Sequence, residues 1–388
     1  MNPNRDRRLV VVLSFLVLMS SAGVSAQSST DDTAAAATRL ELVLDLRTVV
    51  LSIPSLSADD PTHRSLLSTT NDGAGGHVRI AQLEVNAPFE IAMLDLGIEE
   101  PEQREAAAVS AFGLSLSRTN DSWSLEVATG ESETSTPAIV GTTELVHGMS
   151  NVAAPTLIGS LTADGSDDAL LTLRWGRHTW STGVRFPLPR GEAPRRRRLS
   201  GVAEARSFSF DSSALQRATR LSARNTNTVV LPDGTRFSTI YPKKLEVTGR
   251  DFAHLVSVQT DSVVRVIDGA VMRLETDVPL HFGDQVLDTG NVGLADSPGA
   301  YGVWLKRAAD GWKLVFNDEP DAWGTQHDAV FDAAEIDARY AQSDLVDDSM
   351  RDASRALSTS VVMTGPDHGQ FVLVWGPHEW SADFTIAR

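Results

Sequence analysis

The sequence predicts an all-β protein: two tandem antiparallel β-sandwich or jelly-roll-like domains with minor peripheral helices. Three observations predict this. Short apolar runs alternate with polar positions at period two, turn-forming Asp-Gly and Pro/Gly segments separate them, and three blocks of such strands occur twice in the same order. Period two sends successive side chains to opposite faces of a sheet, so each run builds one buried and one wetter face. Several such strands per unit, with few helical stretches, are the pattern of sandwiches and jelly rolls.

The first element is read as an address and not as part of the fold. Arg5, Arg7 and Arg8 precede an apolar run over residues 9–24 that closes in Val24-Ser25-Ala26, a small-residue cleavage pattern. A signal peptide over 1–26 is expected, and with it a periplasmic or secreted protein exported by the general or the twin-arginine route. No later stretch reaches about 18 uninterrupted apolar residues, so no membrane span is expected after cleavage. The chain has no cysteine, which excludes disulfides, thiolate metal sites, a cysteine nucleophile and lipid attachment through sulfur.

Charge divides the remaining chain. The 388 residues carry 34 Lys+Arg and 51 Asp+Glu, a net charge of −17, which argues against nucleic acid as a partner because phosphate affinity comes from cations. Residues 27–189 hold 22 acids and 9 bases, 190–227 hold 3 and 9, and 228–388 hold 25 and 13. The expected layout is therefore a first domain over 27–189, a basic linker over 190–227 containing Arg195-Arg196-Arg197-Arg198, and a second domain over 228–388. Residues 214–224 are read as a short helix, with Leu215, Ala218 and Leu221 on one face. Other peripheral helices are expected at 99–109 and within 328–357.

The two acidic zones repeat one another. Val85-x-x-x-Phe89-x-x-x-x-Leu94-Asp95-x-Gly97 returns as Val278-x-x-x-Phe282-x-x-x-x-Leu287-Asp288-x-Gly290. Ala111-Phe112-Gly113-Leu114, with Arg118, Asp121 and Trp123 behind it, returns as Ala300-Tyr301-Gly302-Val303 with Arg307, Asp310 and Trp312. Leu173-x-Trp175-Gly176-x-His178-x-Trp180-Ser181 returns as Leu373-x-Trp375-Gly376-x-His378-x-Trp380-Ser381. Phe112, Leu114 and Leu116 alternate as an inward face, as do Tyr301, Val303 and Leu305. The Asp310-Gly311 pair predicts a hairpin into a strand over 312–316.

The second repeat contains the succession Ala300-Tyr301-Gly302-Val303-Trp304, Gly311-Trp312-x-Leu314-x-Phe316-Asn317, Trp323-Gly324-Thr325-Gln326-His327-Asp328 and the closing Trp375-Gly376. This resembles a bacterial family catalogued as domain of unknown function 2911, over roughly 228–388, with the first repeat a degenerate copy. The resemblance implies an exported β-sandwich-like domain and brings no established activity. The family's W-R-x-G-A-N-E element has its nearest counterpart in Arg265-Val266-Ile267-Asp268-Gly269-Ala270-Val271-Met272, where Val271 and Met272 stand for the polar pair. The W-G-T element is missing from the first repeat.

No nucleophile elbow, phosphate loop or dinucleotide fingerprint is present, and no cofactor is expected. Metal binding without cysteine requires His and carboxylates, and His281, His327, Asp328, His368, His378 and Glu379 do not fall at a recognised ligand spacing. Asp347-Asp348 lies in a charged stretch without an apolar pocket to tune it. The residues expected to line a ligand site are Tyr301, Trp304, Trp323, His327, Asp328, Trp375, His378 and Trp380. Aromatic strands of this kind either stack on sugars or fill the core, and the core reading is favoured. The expected function is that of an exported, non-catalytic protein binding a small ligand, a glycan or a protein. The alternative is a metal-dependent hydrolase using His327, Asp328, His368 and His378.

Overall fold

The computed structural model describes residues 37–44, 47–67, 76–96, 109–119, 122–129, 138–164, 167–187, 224–243, 245–267, 269, 271–291, 298–342 and 355–387. The expected leader, the Arg195–Arg198 run and the Asp347-Asp348 pair lie outside these residues, as do the helices expected at 99–109 and 214–224 but for their last residues, of which Val109 is not helical and Arg224 begins a strand.

Within them the chain is all-β with large antiparallel sheets, as the alternation predicted. The first half starts with β1 (Ala37–Leu44), β2 (Arg47–Pro54), helix α1 (Pro61–Leu67) and β3 (Gly76–Val85). Two-residue strands β4 (Glu90–Ile91) and β5 (Leu94–Asp95) precede β6 (Ser110–Thr119), β7 (Ser122–Thr129) and β8 (Ile139–Glu144). Two long strands, β9 (Val146–Ala163) and β10 (Asp168–Arg185), complete it. The second half holds β11 (Arg224–Val230), β12 (Arg236–Pro242), helix α2 (Arg250–Ser257), β13 (Ser262–Val263) and β14 (Met272–Thr276). It continues through β15 (Leu280–Phe282), β16 (Gln285–Leu287), β17 (Ala300–Ala308), β18 (Gly311–Asn317) and β19 (Asp332–Gln342). Strands β20 (Ser358–Met363), β21 (His368–Trp375) and β22 (His378–Ile386) close the fold.

The pairings show the duplication directly. One ladder runs β1–β2–β3–β6–β7–β8, and its counterpart runs β11–β12–β14–β17–β18–β19, every neighbour antiparallel. In the first repeat β9, β10, β4 and β5 form a separate four-stranded sheet. In the second, β20, β21, β22, β15 and β16 take the corresponding place and join the main ladder through β19 and β22. The duplication reaches the helices: His63 of α1 packs on Trp175, and Phe252 of α2 packs on Trp375. Both repeats place glycine at φ +58, at Gly176 and Gly376, a left-handed conformation that costs glycine little. In the second repeat it begins the two-residue turn between β21 and β22.

The halves share one core. Strand β1 pairs with β11 from Arg39↔Val230 to Val43↔Thr226, so Arg224–Asn227, read from charge as the end of a linker, begin a strand of the main sheet. Asn227 Nδ2 donates to the Leu161 carbonyl, and Ser358 Oγ donates to the Ala163 carbonyl at 2.9 Å. Residues 35–388 form a single compact unit with one principal apolar cluster drawn from both repeats.

Two expectations are corrected. One or two helices are expected within 328–357 from the interleaved Asp and Arg, yet Asp332–Gln342 is strand β19, pairing with β18 and β22. Ala334 and Ile336 alternate inward, and burial beside two partner strands outweighs local helix preference. Helices α1 and α2, in contrast, were not read in the sequence, being only 7 and 8 residues long. Phe112, Leu114 and Leu116 face the core as expected, and the Ala309-Asp310 turn joins β17 to β18.

Candidate functional site

The eight residues expected at a ligand site fall in three places. Tyr301, Trp304, Trp375 and Trp380 are core side chains, each at most 1 % exposed, as are their first-repeat counterparts Trp175 and Trp180. Their rings are buried among the strands, the two helices and the His327 loop, which leaves no face on which a sugar could stack. Tyr301 donates its hydroxyl to the Asp288 carbonyl, and burial beside Asp318 and Asp288 pushes its pKa up. The Trp375 indole donates to the Leu245 carbonyl at 2.9 Å.

His378 belongs to an aromatic box present in both repeats. Its Nδ1 lies 2.7 Å from the Tyr340 hydroxyl, and its ring stacks on Phe252 and tilts against Trp380. Trp312 packs edge-on against Trp380 with the Arg307 guanidinium over its other side. In the first repeat Trp123, Trp180, His178 and Arg118 occupy the same places, and His147 takes the place of Tyr340. There His178 Nε2 is 3.1 Å from the Leu67 carbonyl, which only a donor satisfies. Its Nδ1 is then the acceptor for His147 Nε2–H at 2.9 Å. Desolvation lowers the pKa of His147, His178 and His378, helped at His178 by the neighbouring His147 and at both first-repeat imidazoles by Arg118.

A pKa held below the ordinary 6.5 means that the unfolded chain binds protons first. Stability is then full above about 6.5 and falls as pH drops through the folded values. Urea midpoints should decrease from pH 8 to pH 5. His147→Tyr, which copies the Tyr340 arrangement, should flatten part of that slope. An unchanged slope would remove the paired histidines as its source.

The third place is a cleft of about 530 Å³ in the second repeat, which His327 of the expected set lines. Its walls are the end of α2 with His254 and Ser257, the segment through β13 carrying Asp261, Ser262 and Arg265, Lys306 on β17, the loop bearing Thr325 and His327, and Asp332 at the start of β19. Gly324 lets that loop lie against 266–269: its N–H donates to the Gly269 carbonyl at 3.0 Å, and its carbonyl accepts from Val266 N–H at 2.9 Å. Trp304 lies beneath, its ring 5.1 Å from that of His327 and nearly perpendicular, packed with Val271 and Val315. Val271 and Met272, which replace the family's polar pair, are buried core residues.

His327 is held firmly. Its Nε2 is 3.0 Å from Asp332 Oδ1, which also accepts from Asn317 Nδ2 at 2.9 Å. Asn317 is 1 % exposed and uses its remaining capacity on the Asp328 carbonyl and the Glu319 N–H, each at 2.9 Å. A β-bulge between Phe316 and Asn317 sets the direction of that amide. Asp328 itself is exposed and accepts from Val330 N–H at 3.1 Å, ending the loop in a 3₁₀ turn over Ala329–Phe331. The Trp323 backbone N–H donates to Gln326 Oε1. Glu319, close enough to feel Asp328 and His327, has its pKa raised, chiefly by burial.

The first repeat is an internal control for this arrangement. It carries the same bulge, between Val127 and Ala128, but Ala128 stands where Asn317 does and pairs with Ile139 where Asn317 pairs with Asp332. Ser115 and Ser117 stand for Trp304 and Lys306. The fold thus forms without the Asn317–Asp332–His327 chain, which is an addition to the scaffold. Among the described residues no three His, Asp or Glu side chains group as metal ligands. His378, bonded to Tyr340, and His368, exposed at the start of β21, do not line the cleft.

Fold and site together define an antiparallel all-β protein with a polar cleft on one of two repeats. Compared with protein-family models, curated proteins and solved structures, the chain gives no significant match. The likeness to the family of unknown function rests on the quoted residues alone.

Proposed function

We propose that this is an exported protein of two β-sandwich-like repeats that binds a small, hydroxyl-rich ligand, of the size of a mono- or disaccharide, in the cleft beside His327. The observation that carries the reading is the locked Asn317–Asp332–His327 chain opening on a cleft whose walls mix Ser257, Ser262 and Thr325 hydroxyls with Arg265 and Asp261. Such walls offer both donors and acceptors, as sugar hydroxyls require, and 530 Å³ lies within the usual range of small-molecule sites. Among the described residues no helix is long and apolar enough to cross a membrane.

Calorimetric titration of the full chain with a panel of mono- and disaccharides and sugar acids tests the reading. A saturable heat is expected for one class, with His327→Ala weakening it at least about tenfold, the worth of one well-placed hydrogen bond. Saccharide heats unaffected by His327→Ala, or no heat across the panel, would discard the cleft as the binding site.

A further inference from the structure

The chemistry of the chain ending at His327 reaches past binding. Asp332 Oδ1 accepts from the Asn317 amide and faces His327 Nε2, so Nε2 carries the ring proton. The neutral imidazole therefore keeps a bare Nδ1 in a residue that lines the cleft. The carboxylate fixes the tautomer, the buried amide fixes the carboxylate, and Trp304 supports the ring from below. A base held in this way, flanked by an oriented acid, is the arrangement general-base catalysis needs. The first repeat, with Ala128 and Ile139 in place of Asn317 and Asp332, shows that folding does not demand it. Arg265, exposed on the same wall, is the cation available to a developing oxyanion, Lys306 being already paired with Glu335.

We propose that His327 is the general base, and Asp332 and Asn317 its positioning residues, for hydrolysis of a short acyl ester of the hydroxylated ligand; the inference rests on the binding reading above. Water is the co-reactant. As its oxygen attacks the ester carbonyl carbon, His327 Nδ1 takes one of its protons, and the carbonyl electron pair moves onto oxygen, where the Arg265 guanidinium of the cleft wall can meet it. When that pair returns, the bond from the carbonyl carbon to the alcohol oxygen breaks, and the departing alkoxide takes the proton back from the imidazolium. The products are the free alcohol and the carboxylic acid, and His327 is neutral again.

The test is steady-state hydrolysis of a per-acetylated methyl glucoside and of p-nitrophenyl acetate by the full chain between pH 5 and 9. Saturation is expected, with kcat/KM rising towards alkaline pH, as a reaction that needs an unprotonated base requires. His327→Ala should lower kcat/KM by about 10²–10⁴. Asp332→Asn keeps the size but removes the charge, so it should lower kcat and move the inflection to lower pH, a shift that a purely structural role would not produce. His378→Ala, outside the cleft, should leave the rate unchanged and controls for surface imidazoles. A rate that survives His327→Ala, or a non-saturating rate without inflection, would overturn the inference. Saccharide binding that depends on His327 while no ester is turned over would overturn it and leave the binding reading intact.

Discussion

Trp380→Ala should destabilise the entire described unit by about 4 kcal/mol, with both repeats unfolding in one transition. Trp380 is fully buried, at 0 % exposure, and packs against Trp312 at 5.3 Å, Tyr340 at 5.7 Å and His378 at 5.7 Å between ring centroids. Its indole N–H has no hydrogen-bond partner, so truncation removes packing alone and leaves no orphaned acceptor. Losing a buried tryptophan and leaving its cavity costs about 3–5 kcal/mol, a large share of the 5–15 kcal/mol that holds a typical domain together. The shared transition follows from the seam: β1 pairs with β11, Asn227 reaches Leu161, and Ser358 reaches Ala163. Trp180→Ala, in the equivalent place and against Trp123 at 4.8 Å, should give a similar loss. Urea unfolding followed by far-UV circular dichroism and by near-ultraviolet signals checks both. Two separate transitions, with Trp380→Ala moving only one, would mean that the seam carries little energy.

The degree to which this was legible in the sequence follows from which signals are local. Alternating strands and the Asp310-Gly311 hairpin are short-range patterns, and with the three blocks that each occur twice they led to the correct fold class and to the correspondence of the repeats. The seam was not legible because strand exchange between β1 and β11 joins residues nearly two hundred positions apart, and charge counting placed Arg224–Asn227 in a tether. Strand β19 was missed because Ala, Asp and Arg are helix-compatible, while its inward Ala334 and Ile336 give only a faint period of two. Of the expected site residues, His327 lines the cleft and Trp304 lies under it. The indoles and Tyr301 were drawn into the set by size and motif position, although large aromatics in short strands usually pay their way by filling a core. The partners that define the site, Asn317 and Asp332, escaped notice because an amide and a carboxylate 15 positions apart announce nothing until a bulge aims one at the other. Asn317 stood at the end of a quoted motif, and its replacement by Ala128 in the first repeat was the available signal.

Gly324→Ala should cost about 3 kcal/mol and disable the cleft as well. A Cβ added at Gly324 would lie 2.2 Å from the Val266 carbonyl oxygen, 2.7 Å from Val266 Cβ and 2.9 Å from the Gly269 carbonyl oxygen. Two of these neighbours are backbone atoms, which cannot swing aside as a side-chain tip does, so the loop must lift. Lifting breaks the bonds from Gly324 N–H to Gly269 O and from Val266 N–H to Gly324 O. Overpacking typically costs about 1–3 kcal/mol, and each lost backbone hydrogen bond about 1 kcal/mol more. The same loop carries Thr325 and His327 into the cleft wall, so its displacement separates His327 from Asp332 even in molecules that stay folded. Gly113→Ala in the first repeat is the control: the nearest atoms to its added Cβ belong to the Arg79 guanidinium, at 3.2 Å, a flexible group able to move, and the expected cost is under about 1 kcal/mol. Denaturant midpoints of the two variants, with saccharide titration of Gly324→Ala at a temperature where it remains folded, separate the effects. A Gly324→Ala protein as stable as the parent and equally able to bind would show that the loop need not lie against 266–269 for the site to exist.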